Sequence, residues 1–202
     1  RGSFKNGMRH GSFENYYNDG RLQRKGTFKN SKKDGLFEEY HKSGKLLKKG
    51  TFKDGKKEGL FEHYYDNGQL KQKDSHKDGK FDGPSIRYHK NGQLQFQALF
   101  RDNKKDGPVV EYWADGELRH KGAYKDGKRE GVIVSYYGNG QLHRKGTFKD
   151  GKREGSFERY FENGQLMKKE AFKDGREDGN FEEFHRNGQL AAKGSHKEGK
   201  LD

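Results

Sequence analysis

Glycine returns every 24 residues along this chain. Gly11, Gly35, Gly59, Gly83, Gly107, Gly131, Gly155 and Gly179 form one column, and Gly20, Gly44, Gly68, Gly92, Gly116, Gly140, Gly164 and Gly188 a second. Leucine follows two residues after every member of the second column, from Leu22 to Leu190. Of the 30 glycines, only Gly138 stands outside four such columns. A strict period of this length marks a tandem array. Glycine held in fixed columns supplies positive φ or close backbone approach. The expected organisation is one array over 1–202: a partial repeat at 1–10, then full repeats 11–34, 35–58, 59–82, 83–106, 107–130, 131–154, 155–178 and 179–202.

Each repeat carries two turn signals. In 59–82, GLFEHYYDNGQLKQKDSHKDGKFD, Asn67-Gly68 and Asp78-Gly79 are the dipeptides favoured in two-residue type I′ hairpins. Repeated glycines and two turns leave no room for a helix. The expected fold class is all-β: an elongated repeat β-meander, a single twisted antiparallel sheet of β-hairpins. Composition fits that economy. Only 27% of residues are hydrophobic and 37% are charged, too few apolar groups for an ordinary thick core, yet 13% are aromatic.

A two-residue loop at Asp19-Gly20 would set Tyr17 opposite Leu22, Phe13 opposite Gly26 and Glu14 opposite Lys25. In the next repeat it would pair His41 with Leu46, Phe37 with Gly50 and Glu38 with Lys49. An aromatic side chain meets an aliphatic one, a ring covers a bare glycine, and opposite charges face each other. One sheet face then carries Phe13, Tyr17, Leu22 and Phe28. The other carries Glu14, Tyr16, Lys25 and Thr27.

The pattern G-x-F-E-x-Y-Y-x-N-G-x-L-x-x-K-G-x-F-K-D-G-K-x-E-G resembles the MORN-repeat variant common in bacterial proteins, and the likeness covers the whole chain. Residues 146–155, GTFKDGKREG, also parallel the core of eukaryotic MORN repeats. The resemblance implies hairpin units, no common catalytic residue, and roles in scaffolding, protein interaction or anionic-lipid association. Some relatives are labelled antitoxin-like and others look like adhesion proteins.

No catalytic or nucleotide-binding spacing stands out from the repeat, so no enzyme activity, cofactor or metal is expected. His41, His89 and His185 stand where other repeats hold Tyr17, Tyr65 or Trp113, and His76 and His196 stand in the Phe28 column. A flat ring replacing a flat ring is the simple reading. Asp54 and Glu58 of the D-G-K-x-E pattern alternate with lysines and read as solvated turn residues rather than calcium ligands. Zero cysteines exclude disulfides. A chain beginning at Arg1 reads as a fragment or processed form; the resemblance implies a bacterial source, with cytoplasm and cell surface both open.

The formal net charge of +13 admits anionic partners. Lys25, Lys49, Lys73, Lys121, Lys145 and Lys169 recur on one face, and Lys29, Lys32 and Lys33 add to the basic stripes. They make an anionic membrane surface the alternative partner, while nucleic acid is disfavoured for want of a recognisable motif. The preferred partner is a protein, because the pattern breaks in one place. The column that reads Glu14, Glu38, Glu62 turns to Ile86, Val110, Val134 before returning to Glu158 and Glu182. With Tyr88, Tyr112 and Tyr136 beside them, these residues form a candidate partner-binding strip. The competing reading is local repacking, with Phe96 filling the volume lost at Ser85 and Ile86 meeting Leu99. Oligomeric state is open.

Overall fold

The structure, a computed structural model, describes residues 2–202. Two compact units divide the chain, residues 1–104 and 105–202, and each is described by itself. All regular structure among the described residues is β-strand, in nineteen segments from Gly2–Lys5 to Lys200–Leu201. Within each unit successive strands pair antiparallel into a meander, as the turn spacing predicts.

The Asp-Gly turns are the expected two-residue loops. Lys77 pairs with Lys80 around Asp78 (φ 51°) and Gly79 (φ 86°), both left-handed as type I′ requires. The acid of the D-G-K-x-E pattern is engaged rather than solvated. Glu58 accepts the Asp78 N–H at 3.0 Å, and Glu130 and Glu154 accept those of Asp150 and Asp174 at the same distance, so each carboxylate clamps the turn one repeat further on.

The Asn-Gly turns differ from expectation. Gly68 N–H donates to the Tyr65 carbonyl at 2.9 Å and Tyr65 N–H to the Gln69 carbonyl at 2.8 Å, enclosing a three-residue loop. Only Gly68 (φ 93°) is left-handed there, because Asn67 Oδ1 accepts the Gln69 N–H at 3.0 Å and the turn is completed by glycine alone. A three-residue loop displaces the register by one. A bulge beyond it restores the register, so Tyr16, not Tyr17, faces Leu22, and Tyr40, not His41, faces Leu46. Phe13 opposite Gly26, Glu14 opposite Lys25, Phe37 opposite Gly50 and Glu38 opposite Lys49 stand as expected.

One face of each unit is an aromatic row. Phe37 lies 5.2 Å from Phe52, and Phe52 5.2 Å from Phe61, ring centroid to centroid, edge to face. Phe37, Phe61 and Phe157 also each cover a glycine on the strand before, Gly26, Gly50 and Gly146. A Cβ added at Gly26 would lie 2.6 Å from the Phe37 ring. Cations roof the rings: Lys33 stands 4.6 Å from the Phe52 centroid, and Arg153 4.8 Å from Phe172. Lys33, expected in a solvated stripe, is therefore partly buried, and burial lowers its pKa.

The repeat at 83–106 departs from this packing through a paired exchange. Asp74 occupies the glycine column and Ser85 the phenylalanine column, directly opposite one another. Both are buried, at 2% exposure, and Ser85 Oγ donates to Asp74 Oδ1 at 2.7 Å. Phe96 is buried on the same face under the Arg87 guanidinium, 5.0 Å from its centroid. Leu99 pairs with Pro84, and Ile86 with Gln97, so Ile86 and Leu99 are diagonal neighbours on one face rather than direct partners.

Candidate interaction surfaces

The face opposite the aromatic row carries a cross-strand charge ladder. In the first unit, ladder partners follow the order Glu14, Lys25, Glu38, Lys49, Glu62, Lys73, Ile86, Gln97. In the second the order is Val110, Lys121, Val134, Lys145, Glu158, Lys169, Glu182, Lys193. The candidate lysines and the candidate apolar residues thus belong to the same row.

Where the row is intact, its charges neutralise one another. Lys25 Nζ lies 2.6 Å from Glu38 and Lys49 Nζ 2.8 Å from Glu62. Tyr40 and Tyr64 hydroxyls donate to the same carboxylates, each at 2.7 Å. The Lys25 and Lys49 hydrogen bonds hold Glu38 and Glu62 below the usual carboxylate range, while Glu38 and Glu62 raise Lys25 and Lys49. Burial, reinforced by Glu158, pushes Tyr160 up to about 12.

These shifts set an acid limb. A carboxylate depressed in the fold contributes stability above its unfolded pKa, which is lost as pH falls through the lower folded value. Thermal midpoints followed downward from pH 5 should therefore drop below about 4.5, the carboxylates' ordinary value. Glu38→Gln/Glu62→Gln should flatten that drop. Superimposable pH profiles for parent and variant would contradict the assignment.

Where the row is interrupted, the lysine loses its acids. Lys121 stands between Val110 and Val134, and Lys145 keeps only Glu158. In the first unit Lys73 stands between Glu62 and Ile86. Lys169 remains bracketed by Glu158 and Glu182. Val110, Tyr112 and Tyr136 are half-buried in the second unit, as are Ile86 and Tyr88 in the first. Val134, by contrast, is buried at 7% exposure. The apolar surface is widened by residues that sequence reasoning left out. Pro108 is exposed opposite Ala123, and Val132 is 53% exposed opposite Thr147. Leu36 and Leu60 occupy the same column in the first unit, at 51% and 47% exposure. The signal was available as a column of Leu, Leu, Pro, Pro and Val two residues before the glutamate column.

The second unit holds an open cleft of about 680 Å³, bordered by its aromatic row and reached by Val134 and Lys145 of the ladder row. Trp113, Tyr124 and Phe148 line it with Arg129, Arg144 and Arg153. Burial lowers the pKa values of His120 and His143 in the same cleft, so both rings are favoured neutral.

A family model described as MORN repeat variant matches residues 9–30, 33–54, 57–78, 81–102, 105–126, 129–150, 153–174 and 177–198. A second, described as MORN repeat, matches residues 1–12 and 49–60. No curated protein matches the chain.

Proposed function

Because the chain belongs to the MORN repeat variant family, matched over most of its length, we propose that it is a non-catalytic scaffold that binds another protein through its charge-ladder face. The observation that carries this reading is the interrupted row in the second unit. Val110 and Val134 replace the acids on both sides of Lys121, and exposed Pro108 and Val132 extend the apolar area. An apolar centre with a lysine inside it and charged repeats beyond it has the makeup of a protein-binding patch: few charges at the middle, polar rim outside.

An anionic membrane is the weaker reading. Lys25 and Lys49 are already held by Glu38 and Glu62, which leaves little free positive field in the intact part of the row. Salt-dependent flotation with acidic vesicles separates the two, since tight vesicle binding would favour the membrane.

The direct test is affinity capture from the native source, comparing the parent chain with Val110→Glu/Val134→Glu. Those substitutions rebuild the Glu–Lys row found elsewhere in the molecule. The parent should retain a partner that the variant loses at least tenfold; equal recovery by both would remove the patch from the account.

A further inference from the structure

We propose that the cleft bordered by the aromatic row of the second unit binds an acidic, extended segment of another protein. Val110 lies outside this site, while Val134 of that patch reaches its lining.

The first observation is a like-charge pair built into the ladder. Arg144 pairs with Ser135 on one side and directly with Arg159 on the other. Directly opposite residues stand about 4.5–5.5 Å apart at Cα, and like charges at that spacing destabilise a sheet. The equivalent row in the first unit answers its cations differently, setting Glu39 opposite both Arg24 and Lys48. In the second unit Arg159 has Glu170 at 3.3 Å, and Glu111 has Arg119 at 3.9 Å. Arg129, Arg144 and Arg153 are exposed and have no carboxylate within ion-pair distance among the described residues.

The second observation is spacing. The Arg129 guanidinium lies over Phe148 at 5.1 Å, and Arg153 over Phe157 at 5.4 Å, leaving their outer N–H groups toward the cleft. They occupy one column two strands apart, so about 10 Å separates them across the sheet. Side chains three residues apart on an extended chain in the polyproline II conformation share one side and stand about 9 Å apart, close to that distance. A compact phosphate needs donors that converge on one point. Three arginines spread over three strands, with aromatic rings between them, fit carboxylates alternating with apolar residues instead. Space is provided where Ser135 is small. The corresponding hollow in the first unit measures about 90 Å³, against about 680 Å³ here.

Trp113 makes the test direct. It is the sole tryptophan, it lines the cleft, and the Arg119 guanidinium lies 4.6 Å from its ring, so its emission reports occupancy. The full chain would be titrated with the capped peptide Glu-Phe-Ala-Glu-Phe-Ala-Glu. A saturable change in emission is expected, weakened about tenfold or more in Arg144→Gln/Arg153→Gln. The thermal midpoint of Arg144→Gln alone should not fall, because the Arg144–Arg159 opposition is relieved. Should the double variant not fold, Arg144→Lys/Arg153→Lys, which keeps the charge but loses the fork, should bind with intermediate affinity. Val110→Glu, outside the lining, should leave the titration unchanged, so failure here is distinct from failure of the patch. Absence of saturation, equal affinity in the arginine variants, or equal binding of the Lys-for-Glu peptide overturns the proposal. Tighter binding of a single-stranded oligonucleotide or of acidic vesicles would overturn the assignment to peptide.

Discussion

Ser85→Phe is expected to destabilise the first unit by about 3 kcal/mol, and Asp74→Gly in the same chain to recover most of that loss. The single substitution lays a ring over a buried carboxylate and removes the hydroxyl that donates to Asp74 at 2.7 Å. It also strands an acid that is 2% exposed and that keeps only Gln72 Nε2, at 2.6 Å, as its neighbouring donor. The double substitution restores the ring-over-glycine pair that Phe37 and Gly26 make. The coupling between the two sites, read from a double-mutant cycle of denaturant midpoints, should exceed about 1 kcal/mol. Additive effects would mean that Ser85 and Asp74 are independent departures.

Gly26→Leu is expected to cost a similar amount, about 3 kcal/mol, by expelling the Phe37 ring. No rotamer of a larger side chain avoids the clash, because the Cβ itself would stand 2.6 Å from the ring. Phe37 is 8% exposed and sits 5.5 Å from Phe28 and 5.2 Å from Phe52, so a displaced ring loses several neighbours together. The control is Gly138→Ala. That glycine belongs to no repeat column and has nothing within 4 Å of an added Cβ, so its midpoint should stay within about 0.5 kcal/mol of the parent. Equal effects at Gly26 and Gly138 would show that the ring does not rest on the glycine column.

Period and parity made most of this fold legible. A period of 24 with two turn dipeptides fixes where strands end, and alternation assigns each residue to a face. Thus Phe13 with Gly26 and Glu14 with Lys25 could be paired before any coordinates. The Asn-Gly turn type could not, because two local irregularities cancel. The extra loop residue and the bulge behind it leave the strand interiors in the same register that a two-residue loop would give. Only the residues between them, Tyr16 and Leu22, show the difference. The roofing of Phe52 by Lys33 was hidden for another reason: lysine stems lie along apolar surface while sequence patterning counts them as solvent-facing.

The surfaces were legible in part. Replacement of a glutamate column by Ile86, Val110 and Val134 was plain in the sequence, and so was its place on the Lys121 face. That these residues interrupt one continuous row of alternating charge required the ladder itself. The exchange of Asp74 with Ser85 was written in two columns read separately; it becomes one event only when the two residues prove to be cross-strand partners. The Arg144–Arg159 opposition has the same character, since the residues lie in neighbouring repeats and meet only through the second turn.

The central claim is that the second unit gives up its charge ladder for recognition and not for packing. The thermal midpoint of Val110→Glu/Val134→Glu tests it most directly. Two new carboxylates would flank Lys121, and Val134 would take the position that Glu158 holds beside Lys169 in the intact row. If the valines serve a partner, the midpoint should stay within about 2 °C of the parent, because the new carboxylates would meet Lys121 and Lys145 as the partly buried Glu38 and Glu62 meet Lys25 and Lys49. A fall of about 6 °C or more, or loss of a cooperative transition, would contradict the account by showing that the valines hold the sheet together.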